Sequence, residues 1–197
     1  VFGFIIGLPA LRLKGDYLAI VTLAFGEIVR NVFKNLQLFG GARGMQTSAI
    51  SYNAKKLYII SFVVVLVMLF LVQNLIRSKH GRAITAIRDN EIAARAMGIN
   101  VTYYKLFVFV ISAFFAGVAG AIYAHNFYII QPTTFGFLKS FDILIYVVLG
   151  GLGSLSGAVL AAVLLTFISS LLVDYASTRM IIYSLVLIIV MLYRPTG

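Results

Sequence analysis

The chain has 197 residues, of which 61% are hydrophobic and only 11% are charged, and its mean hydropathy is +1.02. A soluble domain carries about 25% charged residues, so this composition excludes a water-soluble globular fold and indicates lipid as the surroundings. The net charge of +10 comes from basic residues that lie mostly between apolar segments. This placement is typical of membrane topology signals and headgroup contacts, and it argues against nucleic-acid binding. The sequence contains no cysteine, which excludes a disulfide framework and a thiolate metal site.

Apolar segments long enough to cross a membrane follow one another along the chain. A helix needs about 20 mostly apolar residues to span the hydrocarbon. The first segment, Tyr17–Phe33, carries Glu27 and Arg30, so it is either a tilted, partly buried span or a broken one. Phe141–Leu149 is too short to span alone. The remaining spans are predicted over Leu57–Ile76, Tyr104–Ala124, Leu155–Val173 and, in a shorter form, Met180–Tyr193. The predicted fold class is all-α, a polytopic transmembrane helix bundle with short or broken helices.

Charge placement predicts which segments face the cytoplasm. Basic residues outnumber Asp89 and Glu91 in the segment Arg77–Lys105, so the positive-inside rule places this segment in the cytoplasm. Counting membrane crossings from this segment places His125–Lys139 outside. It also places the basic residues between 30 and 56 outside, which conflicts with the positive-inside rule. We favour the crossing count. Because the chain opens at Val1 inside an apolar run, we also expect further helices before it in the full protein.

Two glycine clusters, at 40–44 and 150–153, interrupt the apolar pattern. Paired interruptions of this kind indicate broken helices that line a substrate path, although the first cluster is equally well explained as an external turn. An ionisable residue inside a span usually faces a cavity or a partner. Glu27 therefore either forms an i,i+3 ion pair with Arg30 or meets a substrate ammonium or a gate. The candidate residues of the translocation path are Thr22, Gly26, Glu27, Gly150 and Gly151.

Small residues four positions apart predict close helix packing in lipid. Three such sets occur: Ala113, Gly117 and Ala121; Ala116, Gly120 and Ala124; and Gly153, Gly157 and Ala161. Motifs of catalysis are missing from the sequence, which contains no G-x-x-x-x-G-K-[ST], H-E-x-x-H or G-x-S-x-G. We therefore predict no catalytic residue and no metal site.

The cytoplasmic segment contains a predicted short amphipathic helix, Glu91–Met97. Asp89-Asn90 supplies natural N-caps, and Gly98 is suited to end the helix. Its many alanines have small side chains, so the helix is narrow enough to dock into a groove on a cytoplasmic partner. A solvated connecting loop is the alternative.

Four segments of the chain closely resemble the branched-chain amino acid ABC permeases. The most specific is Arg82–Val101, R-A-I-T-A-I-R-D-N-E-I-A-A-R-A-M-G-I-N-V, which resembles the coupling loop of that family. The others are Leu13–Arg30, Val148–Gly157 and Tyr193–Gly197. The general importer signature E-A-A-x-x-x-G is only partly kept, because Ile92 stands at its Glu position and Glu91 comes one residue early.

This resemblance implies a multi-pass permease subunit of an ATP-driven importer in the bacterial inner membrane. Residues 1–197 would be a single, partial permease domain, with residues 77–103 as its coupling loop. The residues that couple to the ATPase would be Arg82, Arg88, Asp89, Glu91, Ala93, Ala94 and Gly98. The implied cargo is a branched-chain amino acid. A permease for urea or short amides is the alternative of the same class, and a passive channel is the alternative of another class.

The resemblance also implies the partners. They are two ABC ATP-binding subunits, a second permease subunit that is identical or homologous, an extracytoplasmic substrate-binding protein and the lipid bilayer. No cofactor would be bound by this chain, since ATP and Mg²⁺ would sit on the ATP-binding subunits.

Overall fold

The structure is a computed structural model that describes residues 2–10, 13, 16–37, 40–46, 54–151 and 153–171. The predicted span Met180–Tyr193 and the segment Tyr193–Gly197 lie outside these residues, as does the end of the span predicted over Leu155–Val173. The chain divides into two compact units, Val1–Thr134 and Phe135–Gly197, which are described separately.

Six helices form the first unit within the described residues. They are α1 (Phe2–Ala10), α2 (Asp16–Asn35), α3 (Ala54–Arg77), α4 (Lys79–Asp89), α5 (Glu91–Ala96) and α6 (Val101–Asn126). Within the described residues, two helices are long and apolar enough to cross a membrane: Lys55–Arg77, with mean hydropathy 2.7, and Val101–Asn126, with 2.3. These match the spans predicted over Leu57–Ile76 and Tyr104–Ala124. Both present their large apolar side chains outward, as expected for surfaces that face lipid.

Helix α2 runs for 20 residues without interruption through Gly26 and Glu27. Of the two alternatives considered for Tyr17–Phe33, the structure excludes the broken helix and shows a continuous one. The hydroxyl of Thr22 bonds within the helix, and Glu27 and Arg30 form an ion pair on its surface, so neither polar group has to interrupt the backbone. Intrahelical partners of this kind let polar residues stay in an apolar helix.

The first glycine cluster forms a turn after α2, as the external-turn interpretation proposed. A 3-10 turn at Gly41–Arg43 leads into β1 (Met45–Gln46), which pairs antiparallel with β2 (Ile129–Ile130). A Cβ atom at Gly44 would lie 2.5 Å from the carbonyl oxygen of Ile130, so the pairing requires glycine at this position. The strand pair brings the segment before α3 and the segment after α6 to the same end of the unit, which agrees with the crossing count.

Helix α1 packs closely against α6. A Cβ atom at Gly3 would lie 2.5 Å from the Cβ atom of Ala113, and one at Gly7 would lie 2.9 Å from the Leu106 side chain. In contrast, the described residues leave open space around Gly117 and Gly120. Of the small-residue sets on α6, Ala113 thus takes part in the packing against α1, whereas a Cβ atom at Gly117 or Gly120 would meet no neighbouring helix among the described residues.

The second unit contains α7 (Phe137–Gly150) and α8 (Leu155–Leu171), joined by a turn at the second glycine cluster. Gly151 has a φ of 95°, and Ser154 caps α8 by accepting a hydrogen bond from the backbone N–H of Gly157 at 3.1 Å. A Cβ atom at Gly157 would overlap the Gly150 carbonyl group, so the two backbones touch directly. The close packing predicted for Gly153, Gly157 and Ala161 is confirmed for Gly157 and for Ala161, which is buried.

Candidate functional site

The segment between α3 and α6 begins with a helix that the sequence analysis did not predict. Residues 79–89 form α4, a part of the predicted coupling loop for which no helix was predicted. Ser78 caps it, because its hydroxyl oxygen accepts a hydrogen bond from the N–H of Gly81 at 3.2 Å. Gly81 is buried against the last carbonyl groups of α3, and a side chain there would overlap the carbonyl oxygens of Leu75 and Ile76. The Ser78 cap and the spacing of Ile84 and Ile87 are the signals that point to this helix.

Helix α5 follows after one residue and confirms the helix predicted over Glu91–Met97. The carboxamide oxygen of Asn90 accepts hydrogen bonds from the N–H groups of Ile92 and Ala93, both at 3.0 Å. The cap is thus Asn90 alone, since Asp89 forms an ion pair with Arg88 at 3.0 Å instead. Gly98 ends the helix with a φ of 80°, a conformation that L-residues with side chains rarely adopt.

A bridging carboxylate connects α5 to the spanning helix α6. One oxygen of Glu91 accepts a hydrogen bond from Nζ of Lys105 at 2.7 Å, and the other accepts from the Arg95 guanidinium at 2.8 Å. The hydrogen bond from Lys105, together with the positive charges of Lys105 and Arg95, lowers the pKa of Glu91 below its ordinary value. Glu91 is therefore ionised at neutral pH and holds two cations from two helices.

Apolar and aromatic contacts support the same connection. Ala94 on α5 and Val101 at the start of α6 are each only 3% exposed. The His80 ring on α4 lies against two rings of α6, with centroid distances of 5.9 Å to Tyr104 and 5.8 Å to Phe107. Both short helices are thus attached to the first turns of α6.

The outward side of α5 is unusually apolar. Ile92 and Met97 are each 82% exposed, the highest values among the large apolar side chains of the described residues. The sequence reading did not select either residue, although an Ile and a Met in a helix of Ala and charged residues were the available signal. Ile92 lies in α5 and Met97 directly follows it, so this short stretch exposes two large apolar side chains outside the spanning helices.

The predicted coupling residues divide between the two sides of this segment. Glu91 and Ala94 face α6, as described above. The others are exposed to solvent: Arg82, Arg88, Asp89, Ala93 and Gly98.

The predicted path residues lie in both units. In the first unit, the Thr22 hydroxyl donates to the carbonyl oxygens of Leu18 and Ala19, each at 3.0 Å. Glu27 and Arg30 are joined at 2.5 Å, which is the i,i+3 ion pair considered above, and Gly26 is exposed with open space around it. Gly150 and Gly151 belong to the turn between α7 and α8 in the second unit.

Described residues of the first unit line two cavities that the sequence analysis did not predict. One, of about 370 Å³, lies between α2, α4 and α6 and is lined mainly by apolar side chains, with Arg88 and Lys105 among its few polar residues. The other, of about 520 Å³, lies between α3 and α6 near the end that carries the strand pair, and Tyr58, Ser61 and Asn126 contribute to its lining. In the described ranges, no group of three or more His, Asp or Glu side chains is placed to hold a metal ion.

Comparison with known proteins places the chain in a family. Residues 1–193 match the family described as branched-chain amino acid transport system / permease component. The high-affinity branched-chain amino acid transport system permease protein LivM of Salmonella typhimurium is 36% identical, over 99% of this chain and 53% of its own length. The LivM protein of Escherichia coli K12 is 35% identical over the same shares. A probable branched-chain amino acid transport permease protein LivM of Methanocaldococcus jannaschii is 27% identical, over 100% of this chain and 65% of its own length.

The chain thus spans about half the length of the first two of these curated relatives. No solved structure matches it significantly. The helical fold, the apolar spanning helices and the match over residues 1–193 agree with one another. The chain belongs to the family of branched-chain amino acid transport system permease components.

Proposed function

We propose that this chain is part of the membrane-spanning subunit of an ATP-driven ABC importer for branched-chain amino acids, in a bacterial inner membrane that it crosses several times. The observation that carries the proposal is the capped helix α5, which is fastened to a spanning helix and exposes Ile92 and, directly after its end, Met97. A passive channel has no use for such a helix, whereas a transporter driven from the cytoplasm needs one.

The exposed face of α5 is the proposed contact with the ATP-binding subunits. The exposed side chains of Ile92 and Met97 would be buried in a groove on the ATPase. Burial of apolar side chains contributes binding affinity without requiring the precise geometry of a hydrogen bond. The exposed residues Arg82, Arg88, Asp89, Ala93 and Gly98 would surround this contact. ATP and Mg²⁺ would be bound by the ATP-binding subunits, and this chain would hold no cofactor.

The translocation path is proposed to include Thr22, Gly26, Glu27, Gly150 and Gly151. Support comes from the ion pair of Glu27 and Arg30 within α2, and from the backbone turn at Gly150 and Gly151. A second permease subunit, identical or homologous, would complete the path, and an extracytoplasmic binding protein would deliver the amino acid.

Uptake by the complete transporter tests the proposal. The full-length permease is reconstituted in liposomes with its second permease subunit, ATP-binding subunits and binding protein, and uptake of labelled leucine and of labelled urea is measured with and without ATP. We expect ATP-dependent uptake of leucine. Uptake without ATP would indicate a channel, and ATP-dependent uptake of urea in place of leucine would identify an amide permease.

A matched pair of substitutions tests the docking face. Met97→Glu places a charge in the proposed contact, and Met45→Glu makes the same change at an exposed position on the strand pair. Because burial of a Met side chain is worth about 1.5–3 kcal/mol, we expect Met97→Glu to lower ATP-driven uptake about tenfold or more. Met45→Glu should leave it unchanged. Full uptake in the Met97→Glu transporter would remove α5 from the contact with the ATPase.

A further inference from the structure

We infer that Glu91 is a positioning residue: through its bond to Lys105 it fixes α5 to α6, so that the two helices move as one body. The inference rests on the proposed function, because it concerns how a displacement of α5 by the ATPase reaches the membrane. In this inference Glu91 acts within this chain, and other residues make the contact with the ATP-binding subunit.

The geometry of the ion pair supports this role. Lys105 lies on α6, 14 residues after Glu91, and donates to it at 2.7 Å. Arg95, the other partner of the carboxylate, lies on α5 itself at i+4. The carboxylate therefore joins a cation from its own helix to a cation from the spanning helix. Charge-assisted hydrogen bonds of this length are about twice as strong as neutral ones, although the side chains of Glu91 and Lys105 are 33% and 35% exposed to screening by water.

The short length of α5 makes such an attachment necessary. A helix of six residues is far below the length at which an isolated helix is stable in water. It is held at one end by the Asn90 side-chain cap and at the other by the turn at Gly98, and both of these contacts are local in the chain. The burial of Ala94 is small in area because the side chain is a single methyl group. The bond from Glu91 to Lys105 is thus the long-range polar contact that fixes the rotation of α5 about its own axis.

Coupling efficiency tests the inference in the complete, reconstituted transporter. Lys105→Met removes the cation and keeps an apolar side chain of similar size, and Lys79→Met is the matched control, since Lys79 is exposed in the same segment and makes no ion pair in the described residues. The measurement is the amount of leucine taken up per ATP hydrolysed. Loss of a partly exposed ion pair predicts a fall of about two- to fivefold for Lys105→Met. The control should keep the wild-type ratio.

A charge swap separates positioning from a general structural effect. In the triple variant Glu91→Lys/Arg95→Glu/Lys105→Glu both ion pairs of the carboxylate are restored with reversed polarity, and we expect the ratio to recover most of its wild-type value. If wild-type uptake requires ATP and Lys105→Met leaves the leucine-to-ATP ratio unchanged, the inference about Glu91 is wrong and the proposed function still stands. A wild-type transporter whose uptake is independent of ATP would overturn the proposed function instead.

A cross-link provides a second test that does not depend on the folding of the single variants. The 197 residues contain no cysteine, so Glu91→Cys and Lys105→Cys introduce a unique pair within them. Bridging the pair with a short bis-maleimide replaces the ion pair by a covalent connection. If α5 and α6 move together, the cross-linked transporter keeps the wild-type ratio. If the bridge stops ATP-driven uptake, α5 has to move relative to α6 and the inference is wrong.

Discussion

The direct contact between the backbones of α7 and α8 predicts that Gly157→Ala destabilises the protein. A Cβ atom at Gly157 would overlap the Gly150 carbonyl oxygen, and it would lie 2.9 Å from the carbonyl carbon and 3.0 Å from the hydroxyl oxygen of Ser154. The oxygen and the carbon belong to the backbone, so neither can rotate away as a side chain would. Relief therefore requires α8 to separate from α7 along this contact.

The size of the effect follows from two opposing terms. Alanine favours a helix by about 1 kcal/mol over glycine. Forcing an extra carbon into a filled contact costs about 1–3 kcal/mol, and more where only backbone can yield. We expect the second term to exceed the first at Gly157. At Gly117 in α6 a Cβ atom would meet nothing within 4 Å in the part of the chain that the structure describes, so the first term alone applies and Gly117→Ala should be neutral or stabilising.

The two variants are compared by thermal stability of the full-length permease in lipid nanodiscs, read as the fraction that remains monodisperse after heating. Gly157→Ala should lower the apparent Tm, and Gly117→Ala should leave it unchanged or raise it. The test compares the directions of the two changes in apparent Tm, so it does not require an absolute free energy of unfolding. Equal shifts in the two variants would show that α7 and α8 do not touch through their backbones.

Two further predictions concern the segment between α3 and α6. The pKa of Glu91 is lowered mainly by its hydrogen bond from Lys105, so the pair stabilises the fold at neutral pH and this stabilisation is lost as pH falls through the lowered pKa. Lys105→Met should therefore lower the apparent Tm at neutral pH and not at a pH that protonates Glu91; a difference independent of pH would contradict this assignment. Asn90→Ala removes the cap of α5, worth about 1 kcal/mol, and should speed hydrogen exchange at the amides of Ile92 and Ala93. Unchanged exchange there would mean that Asn90 is not the cap.

The sequence was sufficient for the features that depend on local pattern. Hydropathy alone predicted the spans that the structure shows as α3 and α6, because crossing a bilayer requires a long apolar run whatever the neighbouring helices are. Side-chain capping alone predicted α5, since the groups that satisfy the first amides of a helix must be close to them in the chain. The family resemblance rests on Arg82–Val101 and three other segments, and the match over residues 1–193 confirms it.

Only the tertiary structure decided what depends on residues far apart in the chain. The antiparallel pair of Met45 with Ile130 joins segments of two residues each, which are too short to carry a strand pattern. Helix α4 was missed because Gly81, an unfavourable residue inside a helix, is required there by the close passage of the end of α3. Glu91 is the clearest case: its position at the start of a short helix was evident from the sequence, whereas its partner was not. The turn at Gly98 brings Lys105 back beside Glu91, and the direction of that return is set by the packing of α5 on α6, which no local pattern contains.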